Sequence, residues 1–381
     1  MPQLDYSYNK RSQKGKKKKN RTVVIITAVA AVLMLICAYS GTVNPQHFFP
    51  APFMVLAFMP MLLLVLALLI LALIKRRWSA VAVAVLALLA SAPTIRVFMP
   101  VNASEDRPPM PADTTLILKV MTYNVLAFNY NEPSLSDKPS ATMKLILDAD
   151  PDVVLMQEGS CRGMDWSQVP SLKPYYGQMM ARYPYVYQSN EGLSMMSKYP
   201  FKTIPVGEKQ QTRSPLGYNR DQTGYLARAY DMQLPTGKQL RIIDFRLQSY
   251  HLSFGKNMSV RVSPDEKPSA LDRMKRSFAL RGENAAVLRA AIDALPANVI
   301  VCGDMNDVPS SHVYRVIKGK DLHDAWADVG NGYAYTYNRH KLKYRIDHVF
   351  YRGDIPALTA QRFTGGTSDH YPLMVAFDID K

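Results

Sequence analysis

Three long apolar stretches open the chain, at residues 22–40, 54–74 and 79–99, and none shows the alternation of a half-buried strand. The first two are long enough to cross the roughly 30 Å hydrocarbon layer as helices. The third carries Pro93 and Arg96, which limit its uninterrupted core to residues 79–92. A tilted helix with Arg96 snorkelling to the interface restores a span there. From residue 115 the pattern changes to short apolar runs separated by polar loops. LILKVMTYNV, DVVLMQEG, GLSMMSKYP, ARAYDMQLP, QLRIIDFRLQS, NVIVCGDMND, YRIDHVFYRG and HYPLMVAFDI read as strands or strand ends. ATMKLILDAD and residues 271–294 carry helical spacing. Strands interleaved with helices predict an α/β layered domain over 115–381, preceded by a Pro-rich polar linker at 101–114.

Charge divides the chain at the same place. Up to residue 100, twelve Lys and Arg residues face one acid, Asp5, so +11 of the formal +15 belongs to the apolar end and +4 to the rest. The basic character therefore follows the membrane segments and does not imply a nucleic-acid-coating surface. The basic run at 1–21 and the Lys75–Arg77 loop fall inside by the positive-inside rule, and the 41–50 loop outside. Three spans then put everything after residue 100 on the extracytoplasmic side. A secretory signal is the rival reading of 22–40, but two further apolar segments follow it. Three cysteines exclude a disulfide framework, and Cys37 and Cys302 read as small core hydrophobes.

Polar residues recur where the apolar runs end: Asn124 after VMTY, Glu158 after VVLMQ, Asp304 and Asn306 after VIVCG, Asp347 in YRID, and Asp369-His370 before YPLMV. Strand ends of a layered fold often meet at one edge, where a site can assemble. Taken singly, Asn124 reads as a turn residue, Glu158 as a cap or surface acid, Asp347 as a partner for Arg345 or Arg352, and GDMND and SDH as turns. GDMND equally suits a hard cation or a phosphate, which need oxygen and amide groups in fixed positions.

In this order the pieces TYN (122–124), DVVLMQE (152–158), GLSMMSKYP (192–200), GDMND (303–307), RIDHVF (345–350) and TSDHYPLMV (367–375) resemble the endonuclease/exonuclease/phosphatase, or deoxyribonuclease-I-like, superfamily. The resemblance implies a four-layer α/β sandwich of two mixed β-sheets flanked by helices, with the site at one end. It implies a divalent ion, Mg²⁺ with Mn²⁺ as the substitute, held chiefly by Glu158 with Asn124 and Asp369 nearby. It also implies Asp304 positioning and deprotonating the attacking water, Asn306 donating to a phosphate oxygen, and His370, oriented by Asp347, contacting the phosphate or moving a proton. Asp347 and His348 are neighbours on a strand and face opposite ways, so His348 is expected to be packed away from the site.

One slot departs from the pattern. Family members carry a His before the Leu of the strand at 241–248, and this register places Arg246 there. Arg cannot act as a base, but its fork can clamp a phosphate oxygen. His251 would serve only after a register shift and reads as a loop residue, and 253–264 reads as a flexible lid.

The expected function is a membrane-tethered, metal-dependent phosphoesterase acting on a lipid head group, nucleic acid or soluble ester, with no protein partner evident. The alternative is a binding module that kept metal and phosphate contacts and lost turnover when Arg246 arrived. A transporter has little support, because the apolar segments lack intramembrane acids and a paired repeat. The tyrosine-rich stretches KPYYGQ, ARYPYVY and NGYAYTYNRH suit either stacking on substrate or simple packing.

Overall fold

The computed structural model describes residues 6–102, 116–161, 163–190, 192–206, 227–249, 269–295, 297–339 and 342–380. Two compact units divide them: one runs to Arg96 and includes 310–312, and the other takes Val97–Pro309 and Val313–Lys381. His251, the 253–264 segment and most of the expected linker lie outside the described residues.

In the first unit, α1 (Tyr6–Tyr39), α2 (Ala51–Leu56), α3 (Phe58–Ile74), α4 (Trp78–Ala90) and all but the last two residues of α5 (Ala92–Phe98) follow one another. Small residues line the seam where α1, α3 and α4 meet, among them Ala30, Ala38, Ala72, Ala80, Ala84 and Ala87. They let the helix backbones approach closely. Ile25, Val29, Leu63, Ile70, Leu86 and Leu89 face outward. Of the three expected spans, only 21–42 is one helix of sufficient length and apolarity. The 17 residues of α3 are shorter than that, and the third candidate is bent by 63° between α4 and α5. Ser91 interrupts the helix just before Pro93, which has no N–H to continue the ladder. The 13 residues of α4 rise only about 20 Å at ~1.5 Å each. Three unbroken spans are therefore not met, and a sidedness that depends on the third is not fixed by helix length.

In the second unit, fourteen strands are described. One six-stranded sheet runs β13 (Ala357–Arg362), β14 (Leu373–Asp378), β1 (Ile117–Asn124), β2 (Val153–Gln157), β4 (Ser194–Ser197), β3 (Tyr185–Tyr187). The other runs β5 (Phe201–Val206), β6 (Ala227–Gln233), β7 (Gln239–Arg246), β8 (Val299–Asp304), β12 (Asp347–Arg352), β9 (His323–Asp324). A small hairpin pairs β10 (Tyr337–Arg339) with β11 (Leu342–Tyr344). Both large sheets are mixed: β1–β2 and β7–β8 are parallel and the other pairings antiparallel.

Alternation sorts the side chains into three cores. Leu118, Val120, Val153, Leu155, Ile242, Ile300, Cys302, Val349 and Val375 fill the space between the sheets. Met121, Tyr123, Val154 and Met156 turn the other way, beneath α6 (Ala141–Ala149) and α7 (Tyr176–Arg182). Ile243, Phe245, Val299, Val301 and Phe350 pack beneath α8 (Ala270–Asp293) and α9 (His312–Lys318). The helix α10 (Ala325–Val329) adds Trp326 to the inter-sheet core. The expected four-layer sandwich is thus present, and both faces of each central strand are buried, which explains their near-continuous apolar runs.

The packed unit begins before the expected linker ends. The Val97 carbonyl accepts from Arg345 Nη2 at 2.7 Å, and Asn102 donates to Asn331 Oδ1 and to the carbonyls of Gly330 and Ala327. Losing residues 97–102 would leave the buried Arg345 short of an acceptor, at a cost of about 1–3 kcal/mol. A chain starting at 103 should therefore melt below one that retains 97–102, by roughly 2–4 °C per kcal/mol. Coincident melting curves would show that this segment adds no stability.

Candidate active site

The strand alternation that fills the inter-sheet core turns polar at one end. On β1 the inward series Leu118, Val120, Thr122 ends in Asn124; on β7, Leu240 and Ile242 lead to Asp244 and Arg246; on β8, Ile300 and Cys302 lead to Asp304. β12 runs antiparallel to β8, so its first residue, Asp347, lies opposite Asp304, and Arg246 of β7 pairs with Asp304 in register from the other side. The start of β14 brings the 367–370 loop to the same end, where the Ser368 hydroxyl donates to the Asn124 carbonyl at 2.6 Å.

Asp304 is buried, and donors fix both its oxygens. The Asn306 N–H reaches Oδ1 at 2.9 Å, while Asn306 Nδ2 and Asn124 Nδ2 reach Oδ2 at 3.0 and 3.1 Å. Burial, reinforced by the nearby Asp347 and offset by His370, pushes its carboxyl up to about 6. His370 Nδ1 lies 2.8 Å from Asp347 Oδ2, and its ring packs edge-on against Tyr337. Burial works against an imidazolium there, but the charges of Asp347 and Asp304 and the bond to Asp347 overcome it and raise His370 to about 10. These charges favour the imidazolium at neutral pH, with Nδ1–H donating a hydrogen bond to Asp347 Oδ2. Ligand atoms of Asp304, Asp347 and His370 all lie within 4.8 Å of one another.

Glu158 follows β2 in a left-handed conformation (φ 54°) and receives Asn124 Nδ2 at 3.0 Å and Arg246 Nη2 at 2.5 Å, both on Oε1. Burial opposes its charge, yet Arg246 and the Asn124 bond hold it below the usual carboxylate range. Arg246 Nε also lies 3.9 Å from Asp304 Oδ2. Gly303 is required where β7 crosses: a Cβ there would sit 1.9 Å from the Phe245 carbonyl oxygen.

The structure thus brings Asn124, Glu158, Arg246, Asp304, Asn306, Asp347 and His370 to one sheet end. Asp369 is on the same loop, but its carboxylate turns to Arg339 at 3.3 Å. The Asn306 side-chain amide donates to Asp304 and to the Leu247 carbonyl, so it holds Asp304 in place. His348 is packed away as expected, stacked on Phe350 with Nε2 3.2 Å from the Asp307 carbonyl; burial and Arg345 lower it to about 3. Arg345 pairs with Asp324 and Arg352 with Asp321, so neither takes Asp347. Of the tyrosine-rich stretches, Tyr175, Tyr176 and Tyr183 pack into an outer core, while Tyr337 borders His370.

Sequence reasoning missed what lies beneath the site. Gln157 Nε2 bonds Asp244 Oδ1 at 2.5 Å and Thr122 Oγ1 at 3.1 Å, and burial holds the Asp244 carboxyl well above its usual range. The signal was the inward parity these residues share with Asn124 and Asp304. Arg281 of α8 was also missed; fully buried, it reaches the Gln248 carbonyl at 3.0 Å and lies 3.6 Å from Asp307, tying together the loops that follow β7 and β8.

A hard cation fits this donor set. Glu158, Asn124, Asp304 and Asp347 offer oxygen, Asp347 Oδ1 is buried without a hydrogen bond, and the three carboxylates outnumber Arg246 and His370 by one charge.

Residues 121–370 match the model of the endonuclease/exonuclease/phosphatase family, a stretch that includes every residue gathered at this site. Residues 20–98 match a domain of unknown function, DUF8431. No curated protein matches the chain. Solved structures similar to it include TDP2 from D. rerio, humanized by 14 mutations (18% identity, 69% of this chain and 99% of that one, TM-score 0.46). They also include the human nocturnin catalytic domain with bound sulfate (16%, 71% and 99%, TM-score 0.44) and sphingomyelinase C from Streptomyces griseocarneus (16%, 69% and 99%, TM-score 0.44).

Proposed function

The chain belongs to the endonuclease/exonuclease/phosphatase family, hydrolases of phosphate esters, and from that premise we propose that it is a membrane-anchored, divalent-metal-dependent phosphodiesterase. The observation that carries the reading is Asp304: a buried carboxylate held by two amides, facing the Asp347–His370 pair on one side and Arg246 on the other. Held in this way, Asp304 accepts a proton from the attacking water, while Asn306 and Asn124 keep its lone pairs aimed. His370, charged and oriented by Asp347, donates to a phosphate oxygen and stabilises the charge that gathers there. Arg246 offers its fork to the same group. Glu158 and Asn124 would hold Mg²⁺ or Mn²⁺, joined by Asp369 once its carboxylate leaves Arg339, and the ion would supply Lewis-acid stabilisation of phosphate charge when bound.

The α1 helix and the outward apolar faces of α3 and α4 support anchoring in a bilayer. The proposed organisation is a basic N-terminus at 1–21, a membrane region at 22–100, a linker at 101–114 and a catalytic domain at 115–381, with residues 97–102 packed onto that domain. If α1, α3 and the bent α4–α5 pair all cross, that domain lies outside the cytoplasm. Anchoring favours lipid head groups over nucleic acid, since the second unit carries little net charge for phosphate contacts along a strand.

The test is a panel offered to the full-length chain in detergent: phosphocholine-lipid vesicles, a single-stranded oligonucleotide and a soluble phosphomonoester. Release of product from the lipid or the oligonucleotide sustains the reading and assigns the substrate class, and release from the monoester alone would make the chain a phosphomonoesterase instead. A folded chain that cleaves none of them is instead a binding module, the alternative favoured by the Arg246–Glu158 pair.

The ionisations give a pH signature. Asp304 must be ionised and His370 protonated, so turnover falls as pH drops through about 6 and again as it rises through about 10, with a plateau between. The signs follow from the causes: burial raises the Asp304 carboxyl, while Asp347 and Asp304 hold the proton on His370. A pH–rate profile checks this, and a maximum confined to a narrow band near 7 would contradict it.

A further inference from the structure

Arg246 and Asn124 donate to the same atom, Glu158 Oε1, at 2.5 and 3.0 Å. That carboxylate is the one a divalent cation would need, and a guanidinium beside it repels a second positive charge. A cation on Oε1 would have to displace the guanidinium, and one on Oε2 would still meet its charge.

Other features make the arginine displaceable. Its side chain is 36% exposed, so it can swing without opening the core. Its Nε makes no hydrogen bond and lies 3.9 Å from Asp304, so the fork is held at one end only. Its position at the end of β7, in register with Asp304, puts the freed guanidinium within reach of a phosphate in front of Asp304. A neutral side chain here would leave Glu158 open to the metal at all times.

We propose that Arg246 competes with the divalent metal for Glu158 and is drawn off by the substrate's phosphate, so that metal and phosphate bind as a coupled pair. The inference rests on the phosphoesterase reading and deepens it: the arginine is a positioning residue that ties metal loading to the presence of an anionic substrate. Without phosphate the metal binds weakly, because it must displace the guanidinium from Oε1 or bind against its charge. With phosphate, the guanidinium gains a new partner and Glu158 is released.

The experiment titrates Mn²⁺ into the full-length chain in detergent, following free Mn²⁺ by electron paramagnetic resonance, with and without sulfate as an uncleavable tetrahedral anion. Arg246→Gln is expected to tighten Mn²⁺ about tenfold or more, and sulfate to tighten Mn²⁺ about fivefold or more in the wild type but not in the variant. Arg246→Lys, which keeps the charge and loses the fork, should bind Mn²⁺ as weakly as the wild type and respond less to sulfate. Equal or weaker Mn²⁺ binding by a folded Arg246→Gln variant, or an unchanged sulfate effect, overturns the proposal while wild-type hydrolysis leaves the phosphoesterase reading standing. If no form binds Mn²⁺ and none hydrolyses a phosphate ester, both fall together.

Discussion

Replacing Asp304 with Asn should lower turnover by about 10²–10⁴-fold without unfolding the protein. The substitution keeps the shape of a buried side chain and removes its basicity. The carboxylate accepts from Asn306 N–H, Asn306 Nδ2 and Asn124 Nδ2. An amide must turn a donor toward one of these, so the site loses a well-aimed acceptor as well as a base. Stability should change little, since the relief of the buried charge offsets the roughly 1–3 kcal/mol of one donor left unsatisfied. Steady-state rates on whichever substrate the panel identifies, beside a thermal melt, check both halves. A wild-type rate in the Asn variant would remove Asp304 from the chemistry.

His370→Gln should cost about 10²–10³-fold in turnover and, unlike the first change, should also destabilise the protein. The His370–Asp347 pair is almost fully buried, with side chains 5% and 1% exposed. Removing one partner of such a pair leaves the other charge uncompensated, at about 3–5 kcal/mol. Asp347 is poorly placed to find a substitute, because its Oδ1 already lacks a hydrogen bond. Adding Asp347→Asn to the His370→Gln variant should therefore restore part of the stability and none of the turnover. Recovery of activity in the double variant would mean that the pair is structural only.

Most of the sandwich was legible because its long strands are buried on both faces and read as apolar runs ending in polar residues. β1, β2, β4, β6, β7, β8, β12 and β14 all fall within runs identified from sequence. The shortest strands, β3, β9, β10 and β11, have two or three residues each, too few for periodicity to register. The Arg246 position followed from counting along β7, since a strand's parity fixes which side chain reaches the inter-sheet end. Directions of amides and carboxylates were not legible. That Asn306 turns to Leu247 and Asp304, and Asp369 to Arg339, depends on neighbours distant in sequence. Buried arginines mislead in the same way: Arg281 and Arg345 look like surface residues until Asp307 and Asp324 are brought against them. In the third apolar segment composition suggested a span and did not reveal the 63° bend at Ser91.

The most direct measurement is hydrolysis of bis(4-nitrophenyl) phosphate by the full-length chain in detergent, in Mg²⁺, in excess EDTA, and in EDTA followed by restored Mg²⁺. The account predicts turnover in Mg²⁺, none in EDTA and recovery when the ion returns. Turnover that persists in EDTA, or a folded chain inert with both Mg²⁺ and Mn²⁺, would contradict it.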